Sequence, residues 1–116
     1  MNLRWLDLSF NLITKIEGLD NLRKLEDLAL FSNHITKLEG LDNLESLNVL
    51  SVGKNRIVAL DESINYLHSL QNKNKLEVLK IKDNAFKETG EKDYKGRIIA
   101  FLKNLKYLDY EMISDK

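Results

Sequence analysis

His34 and His68 are the side chains best suited by type to hold a metal or move a proton near neutral pH, and the chain has no others of their kind. Neither sits in an H-e-x-x-H frame, and two isolated histidines do not make a zinc site. Cysteine is absent, which removes thiol catalysis, thiolate metal ligands and disulfides. No G-x-S-x-G elbow occurs. The stretch "GEKDYKGR" (90–97) carries glycines but lacks the spacing and the Lys-Ser/Thr of a phosphate loop. The carboxylates are many but stand at repeating surface positions. These residues point away from an enzyme, a cofactor and a metal site.

What recurs instead is a phrase of leucines closed by asparagine. "LRWLDLSFNLI" (3–13) returns as "LEDLALFSNHI" (25–35), "LNVLSVGKNRI" (47–57), "LEVLKIKDNAF" (76–86) and, altered, "LKYLDYEMIS" (105–114). The copies begin at Leu3, Leu25, Leu47, Leu76 and Leu105, so by subtraction the spacings are 22, 22, 29 and 29 residues. In the last copy Met112 and Ile113 stand where the asparagine step is expected.

The L-x-L step alternates apolar and polar residues, the period of a short strand with one buried face. Leu6 with Leu8, Leu28 with Leu30, Leu50 with Val52 and Leu79 with Ile81 are the expected inward pairs. Each buried leucine contributes roughly 1.5–3 kcal/mol. One repeat cannot close a core; stacked repeats can, with parallel strands as neighbours. Asn11, Asn33, Asn55 and Asn84 fall where the chain leaves its strand. An amide offers donors and an acceptor to backbone groups stranded in that turn, so these asparagines read as structural.

The arcs between phrases change along the chain. In 13–24 and 35–46, Ile16, Leu19 and Leu22, then Leu38, Leu41 and Leu44, are expected to pack from the convex side, with Gly18 and Gly40 at tight turns. These arcs are too short for a full helix and predict 3₁₀-like turns. The later arcs are seven residues longer by the same subtraction. Leu60, Ile64, Leu67 and Leu70 show helical spacing, with Asp61 or Ser63 as cap. Tyr94, Ile98, Phe101 and Leu102 predict a second helix covering the last core layer, led into by a loop over 90–96.

Repeats of roughly 20–29 residues with this phrase resemble leucine-rich repeats. The resemblance implies an α/β solenoid: short parallel strands on the concave face, 3₁₀ turns then helices on the convex face, and a C-terminal capping helix. Residues 1–116 form one such domain of about five repeats, the last a cap. The 22-residue units with "IEGLDNL" resemble the class found in the regulatory subunit of protein phosphatase 1, shared by an outer-arm dynein light chain, tubulin-folding cofactors and a spliceosomal U2 subunit. The run from Leu3 to Ile57 and the segment "DYKGRIIAFLKNLKYLDYEMIS" are similar to the repeat region and cap of the dynein regulatory complex subunit 3 family, of the ciliary nexin link. Family caps carry prolines where this chain has Ala85 and Lys103. That family also has repeats upstream and a coiled coil downstream, which implies that this chain is a fragment or a shortened relative. An open edge at the Leu3 strand then predicts self-association through the N-terminal end, read by solution size.

The variable strand positions are expected to face the concave side. One column reads Trp5, Asp27, Val49, Val78 and Tyr107. The next reads Asp7, Ala29, Ser51, Lys80 and Asp109. A third reads Ser9, Phe31, Gly53, Lys82 and Glu111, with Phe10, Ser32, Lys54 and Asp83 alongside. Exposed Trp and Tyr on such a wall are typical anchors for a protein partner. Trp5, Asp7, Asp27, Phe31, Val49, Ser51, Val78, Lys80, Tyr107 and Asp109 are the candidate protein-binding residues. Phe10 and Phe31 read more readily as core of the turn than as surface. Lys80 with Lys82, and Glu26 with Asp7 and Asp27, form small charged spots that would set orientation.

Acidic and basic residues number 18 each, so nothing calls for nucleic acid or an anionic membrane. No apolar run is long enough to span a bilayer, and no secretory signal opens the chain. The expectation is a cytoplasmic scaffold. The resemblance implies an adaptor in a ciliary or flagellar axonemal assembly, with axonemal subunits as partners. The alternative is a regulator that binds a phosphatase catalytic subunit through the concave face. The change of spacing from 22 to 29 favours the adaptor.

Overall fold

In the computed structural model, which describes residues 2–86 and 91–113, each leucine phrase contributes one short parallel strand. The strands are β1 (Trp5–Asp7), β2 (Asp27–Ala29), β3 (Val49–Ser51), β4 (Val78–Lys80) and β5 (Tyr107–Leu108). They pair in sequence order, and the register follows the repeat: Leu6 opposite Leu28, Leu28 opposite Leu50, Leu50 opposite Leu79, Leu79 opposite Leu108. Identical phrases stack on identical phrases because any slip would turn the leucines out of the core.

The core is one stack of layers. Leu25, Leu28, Leu47, Leu50, Leu60 and Leu79 are fully or almost fully buried. Ile16, Leu19 and Leu22, and one repeat later Leu38, Leu41 and Leu44, close it from the convex side. In these arcs the Leu22 and Leu25 N–H groups donate to Leu19 and Leu22 carbonyls, and Leu44 and Leu47 repeat the pattern. These are 3₁₀-type i to i+3 bonds, in separate turns rather than a continuous helix.

Asparagine stitches the layers. Asn55 donates from Nδ2 to the Leu30 and Val52 carbonyls at 2.9 and 3.1 Å, and its Oδ1 accepts the Ile35 N–H at 3.0 Å. Asn33 does the same with Leu8, Leu30 and Ile13, and Asn84 with Val52, Ile81 and Ile57. Each amide therefore bonds its own repeat and the one before it. The residue ahead of each asparagine (Phe10, Ser32, Lys54 and Asp83) has φ between 51° and 65°, a left-handed kink that turns the chain off the strand.

The longer arcs become helices α1 (Leu60–Ser69) and α2 (Glu91–Phe101). Leu60, Ile64, Leu67 and Leu70 are buried. The expected cap is corrected: Ala59 holds the N-cap position with no side-chain cap bond, and Ser63 lies inside α1 donating its hydroxyl to the Ala59 carbonyl. Tyr66 ties α1 to the preceding arc. Its hydroxyl accepts the Leu41 N–H and donates to Asp42, and burial with that carboxylate pushes its pKa up. In α2, Tyr94 and Ile98 are buried, as is Leu102 just past its end, but Phe101 is exposed with its ring edge on His68. The loop expected over 90–96 is also corrected: α2 takes in its described part from Glu91 onward, while Gly90 lies outside the described residues.

The chain closes with a strand absent from the sequence reading. β6 (Glu111–Met112) pairs antiparallel with β5 through Asp109 and Tyr110, both at positive φ. Positive φ at both residues of a two-residue loop is the pattern of a type I′ hairpin turn. β1 and β6 are the two edges of the sheet, and around β1 the side chains of Leu3, Trp5, Phe10 and Leu12 are exposed.

Gly18 and Gly40 occupy the same step of consecutive arcs at φ +78° and +74°. A Cβ at Gly40 would lie 2.4 Å from the Ile16 carbonyl oxygen, whereas at Gly18 it would meet nothing within 4 Å. Gly18→Ala is expected to cost about 1–2 kcal/mol from the left-handed backbone alone, and Gly40→Ala clearly more. Denaturant unfolding of the two variants checks the order.

Candidate functional site

The inner wall of the sheet is built by residues that flank the buried leucine of each strand. Because a strand alternates faces, Trp5 and Asp7 flank Leu6, Asp27 and Ala29 flank Leu28, and Val49 and Ser51 flank Leu50. Strand pairing sets Trp5 beside Asp27, Asp27 beside Val49, Val49 beside Val78 and Val78 beside Tyr107. The second column, Asp7, Ala29, Ser51 and Lys80, is in register too. Trp5 is 61% exposed and Tyr107 is exposed; Val49 and Val78 between them are half-buried. The wall thus offers an apolar row of Trp, Val, Val and Tyr, interrupted by one carboxylate.

Charge is unevenly spread along this wall. Asp7 and Asp27 lie on the first strands; Lys54, Lys80 and Lys82 lie at and after the third. Partial burial raises the Asp27 pKa, opposed by the Lys80 ammonium and reinforced by Asp7. Asp7 is solvent-facing and its pKa is lowered, because its carboxylate accepts the Ser9 N–H at 2.9 Å. A ligand that covers Asp27 would desolvate it further, so a cation opposite it is favoured.

Beyond the strand ends lies an aromatic and basic rim. The Phe10 and Phe31 rings meet edge to face with centroids 5.6 Å apart. Phe31 is half-buried, with its N–H on Ser9 Oγ and the Lys54 ammonium 5.6 Å from its ring centre. Lys80 Nζ lies 4.9 Å from the centre of the Tyr110 ring. Phe31, Lys54, Lys80 and Tyr110 line a shared cavity of about 240 Å³. Ammonium groups over ring faces are attracted by the ring quadrupole and stay available to an anion.

Most candidate residues are on one surface, as the repeat requires. One candidate, Asp109, and one residue outside that set, Phe10, are placed differently from expectation. Phe10, read as core of the turn, is 75% exposed, because its left-handed backbone swings the ring outward. Asp109, read as a concave contact, is only 4% exposed. Its Oδ1 accepts the Ile81 and Lys82 N–H groups at 2.7 and 2.9 Å, and its Oδ2 accepts the Tyr94 hydroxyl at 2.6 Å. It stands in for a ladder carbonyl: in the earlier layers the equivalent Leu8, Leu30 and Val52 N–H groups donate to the backbone carbonyls of Ala29, Ser51 and Lys80. Glu111 likewise leaves the third column for β6. Tyr110 was missed as a surface residue; it occupies the second inward position of its phrase, and the signal was its non-aliphatic side chain there, next to Asp109. Among the described residues no group of three His, Asp or Glu side chains converges as metal ligands, and no helix is long and apolar enough to cross a membrane.

Residues 2–43 match the family of leucine-rich repeats (two copies). The whole fold is similar to a chain in the crystal structure of the Drosophila melanogaster SNF/U2A′ complex, with TM-score 0.81 and 25% identity over 96% of this chain and 62% of that one. It is also similar to an internalin (inlF) from Listeria monocytogenes, with TM-score 0.71 and 26% identity over 98% of this chain and 29% of that one. This chain therefore spans less than two-thirds of the length of either structure. No curated protein matches it in sequence. With its parallel strands, stacked leucines and convex turns and helices, the protein is a leucine-rich repeat solenoid.

Asp109→Ala would remove the acceptor of the buried Ile81 N–H, at about 1–3 kcal/mol for a group left unsatisfied, together with its bonds to the Lys82 N–H and the Tyr94 hydroxyl. It is expected to lower the unfolding midpoint strongly, whereas Tyr107→Ala, on the exposed wall, leaves it nearly unchanged. Thermal unfolding of both checks the assignment of Asp109 to the core.

Proposed function

We propose that the chain is a non-catalytic scaffold that holds another polypeptide against its concave sheet. The observation that carries this reading is the register of Trp5, Val49, Val78 and Tyr107, four anchors in one row on a rigid wall. Rigid, exposed aromatic residues give large contact area at little entropic cost. Acid on the first strands and lysine on the later ones would fix the direction in which a segment lies. The solved relative from Drosophila belongs to a complex, and leucine-rich repeat domains typically bind proteins.

The finer reading is an adaptor in an axonemal dynein regulatory assembly. It is supported by the similarity of the repeat and cap segments to the dynein regulatory complex subunit 3 family. It is supported too by the passage from short turns to helices after the third strand, where a phosphatase regulator of the 22-residue class would continue in even turns. On that reading a tagged copy concentrates in the axoneme. Diffuse signal with recovery of a phosphatase catalytic subunit would favour the regulator instead.

Trp5→Asp with Val49→Lys is expected to weaken capture of the axonemal partner by about tenfold or more, with far-UV circular dichroism unchanged. Capture from axonemal extract at unaltered yield would refute the concave site. Loss of the folded spectrum would reassign both residues to the core.

A further inference from the structure

The chain has a second concave feature, on the flank where the convex arcs turn into strands. Asn48, Glu77 and Lys106 immediately precede β3, β4 and β5 and share a groove of about 730 Å³ with the ends of the preceding arcs. None of the residues lining it belongs to the concave columns. It is therefore separate from the sheet wall and its argument is independent of the proposed concave site.

Its charge is unbalanced in a specific way. Four lysines (Lys73, Lys75, Lys103 and Lys106) and two glutamates (Glu45 and Glu77) line it. Both carboxylates are already held. Glu45 pairs with Arg23 at 3.0 Å, from outside the groove. Glu77 accepts the Asn48 amide at 3.0 Å and pairs with Lys106 at 3.0 Å, contacts that in that order lower its pKa. Lys73, Lys75 and Lys103 form no salt bridge among the described residues.

One buried group points to a ligand as well. Asn74, another lining residue, is only 7% exposed. Its Oδ1 accepts the Leu76 N–H at 3.2 Å, while its Nδ2 has no acceptor among the described residues. A buried donor left unpaired costs free energy that a bound acceptor recovers.

We propose that this groove binds an acidic peptide segment, with carboxylates at Lys73 and Lys103 and an acceptor at Asn74 Nδ2. Side-chain amides from Gln71, Asn72 and Asn104 also line it. Amides both donate and accept, which suits a peptide backbone. A continuous phosphate backbone is disfavoured by the two glutamates and by a chain whose formal net charge is zero. The scaffold then grips two segments at once, one on the wall and one on the flank, and the two attachments reinforce each other when carried by one partner.

The test uses the whole chain and a fluorescein-labelled peptide of alternating glutamate and serine, read by polarisation. Binding is expected to weaken with salt and to be absent for the glutamine counterpart. Lys73→Glu with Lys103→Glu should reduce affinity by about tenfold or more, while Lys15→Glu, at an exposed arc position outside both surfaces, leaves it unchanged. If the reversed pair disturbs the fold, Lys73→Gln with Lys103→Gln should give an intermediate loss. The Asn74 side-chain amide resonance should shift on titration. Equal binding of the glutamine peptide, unchanged affinity in the lysine variants, or tighter binding of oligouridylate than of peptide would overturn the proposal.

Discussion

A buried asparagine that bonds two neighbouring repeats at once is the constraint on which the fold depends. Leucine stacking alone is non-directional and would allow layers to slide. The amide of Asn33, Asn55 or Asn84 removes that freedom, because it takes a carbonyl and an N–H of the previous repeat together with a carbonyl of its own. The left-handed residue before each asparagine brings the amide into reach. The regular wall follows: once repeats are locked at one register, the residues flanking each buried leucine fall into straight columns.

The ends of the stack show what happens when the rule is interrupted. In the last layer the asparagine position is Ile113, and the layer is tied instead by the Asp109 carboxylate, which accepts the Ile81 and Lys82 N–H groups and the hydroxyl of Tyr94 on α2. The same turn sends the chain back as β6, so β5, the last of the parallel strands, is paired on both sides. At the other end the Asn11 side chain donates only to carbonyls of its own repeat, its N–H donates to Asn33 Oδ1, and the residue is exposed. The convex side changes to helices in the longer arcs, where Tyr66 fastens the first helix to the last of the turns.

Period and spacing made the strands, inward leucines, convex apolar residues and concave columns legible, because each follows from one repeated phrase. Trp5, Val49 and Val78 could be placed from the alternation about Leu6, Leu50 and Leu79. The misreadings arose where backbone conformation, not side-chain type, decides exposure. Phe10 is apolar but sits at positive φ, and Asp109 is charged but sits at a hairpin turn whose N–H groups need an acceptor. A helix start without a side-chain cap at Ala59, and one that runs through Gly96, also lack the local signals that mark helix ends. The flank groove was illegible for another reason: its lysines come from separate repeats, and only their stacking brings them together.

A scaffold of this kind works by staying rigid, since a preformed wall loses little entropy when a segment lies on it. That rigidity resides in the amide ladder, so native-state hydrogen exchange of the Ile35 and Ile57 amides, which donate to Asn55 and Asn84, tests it most directly. The account predicts that both exchange only through global opening, like the strand amides, and that Asn55→Ala speeds Ile35 more than Ile57. Exchange as fast as that of exposed arc amides, or an Ile35 rate untouched by losing Asn55, would contradict it.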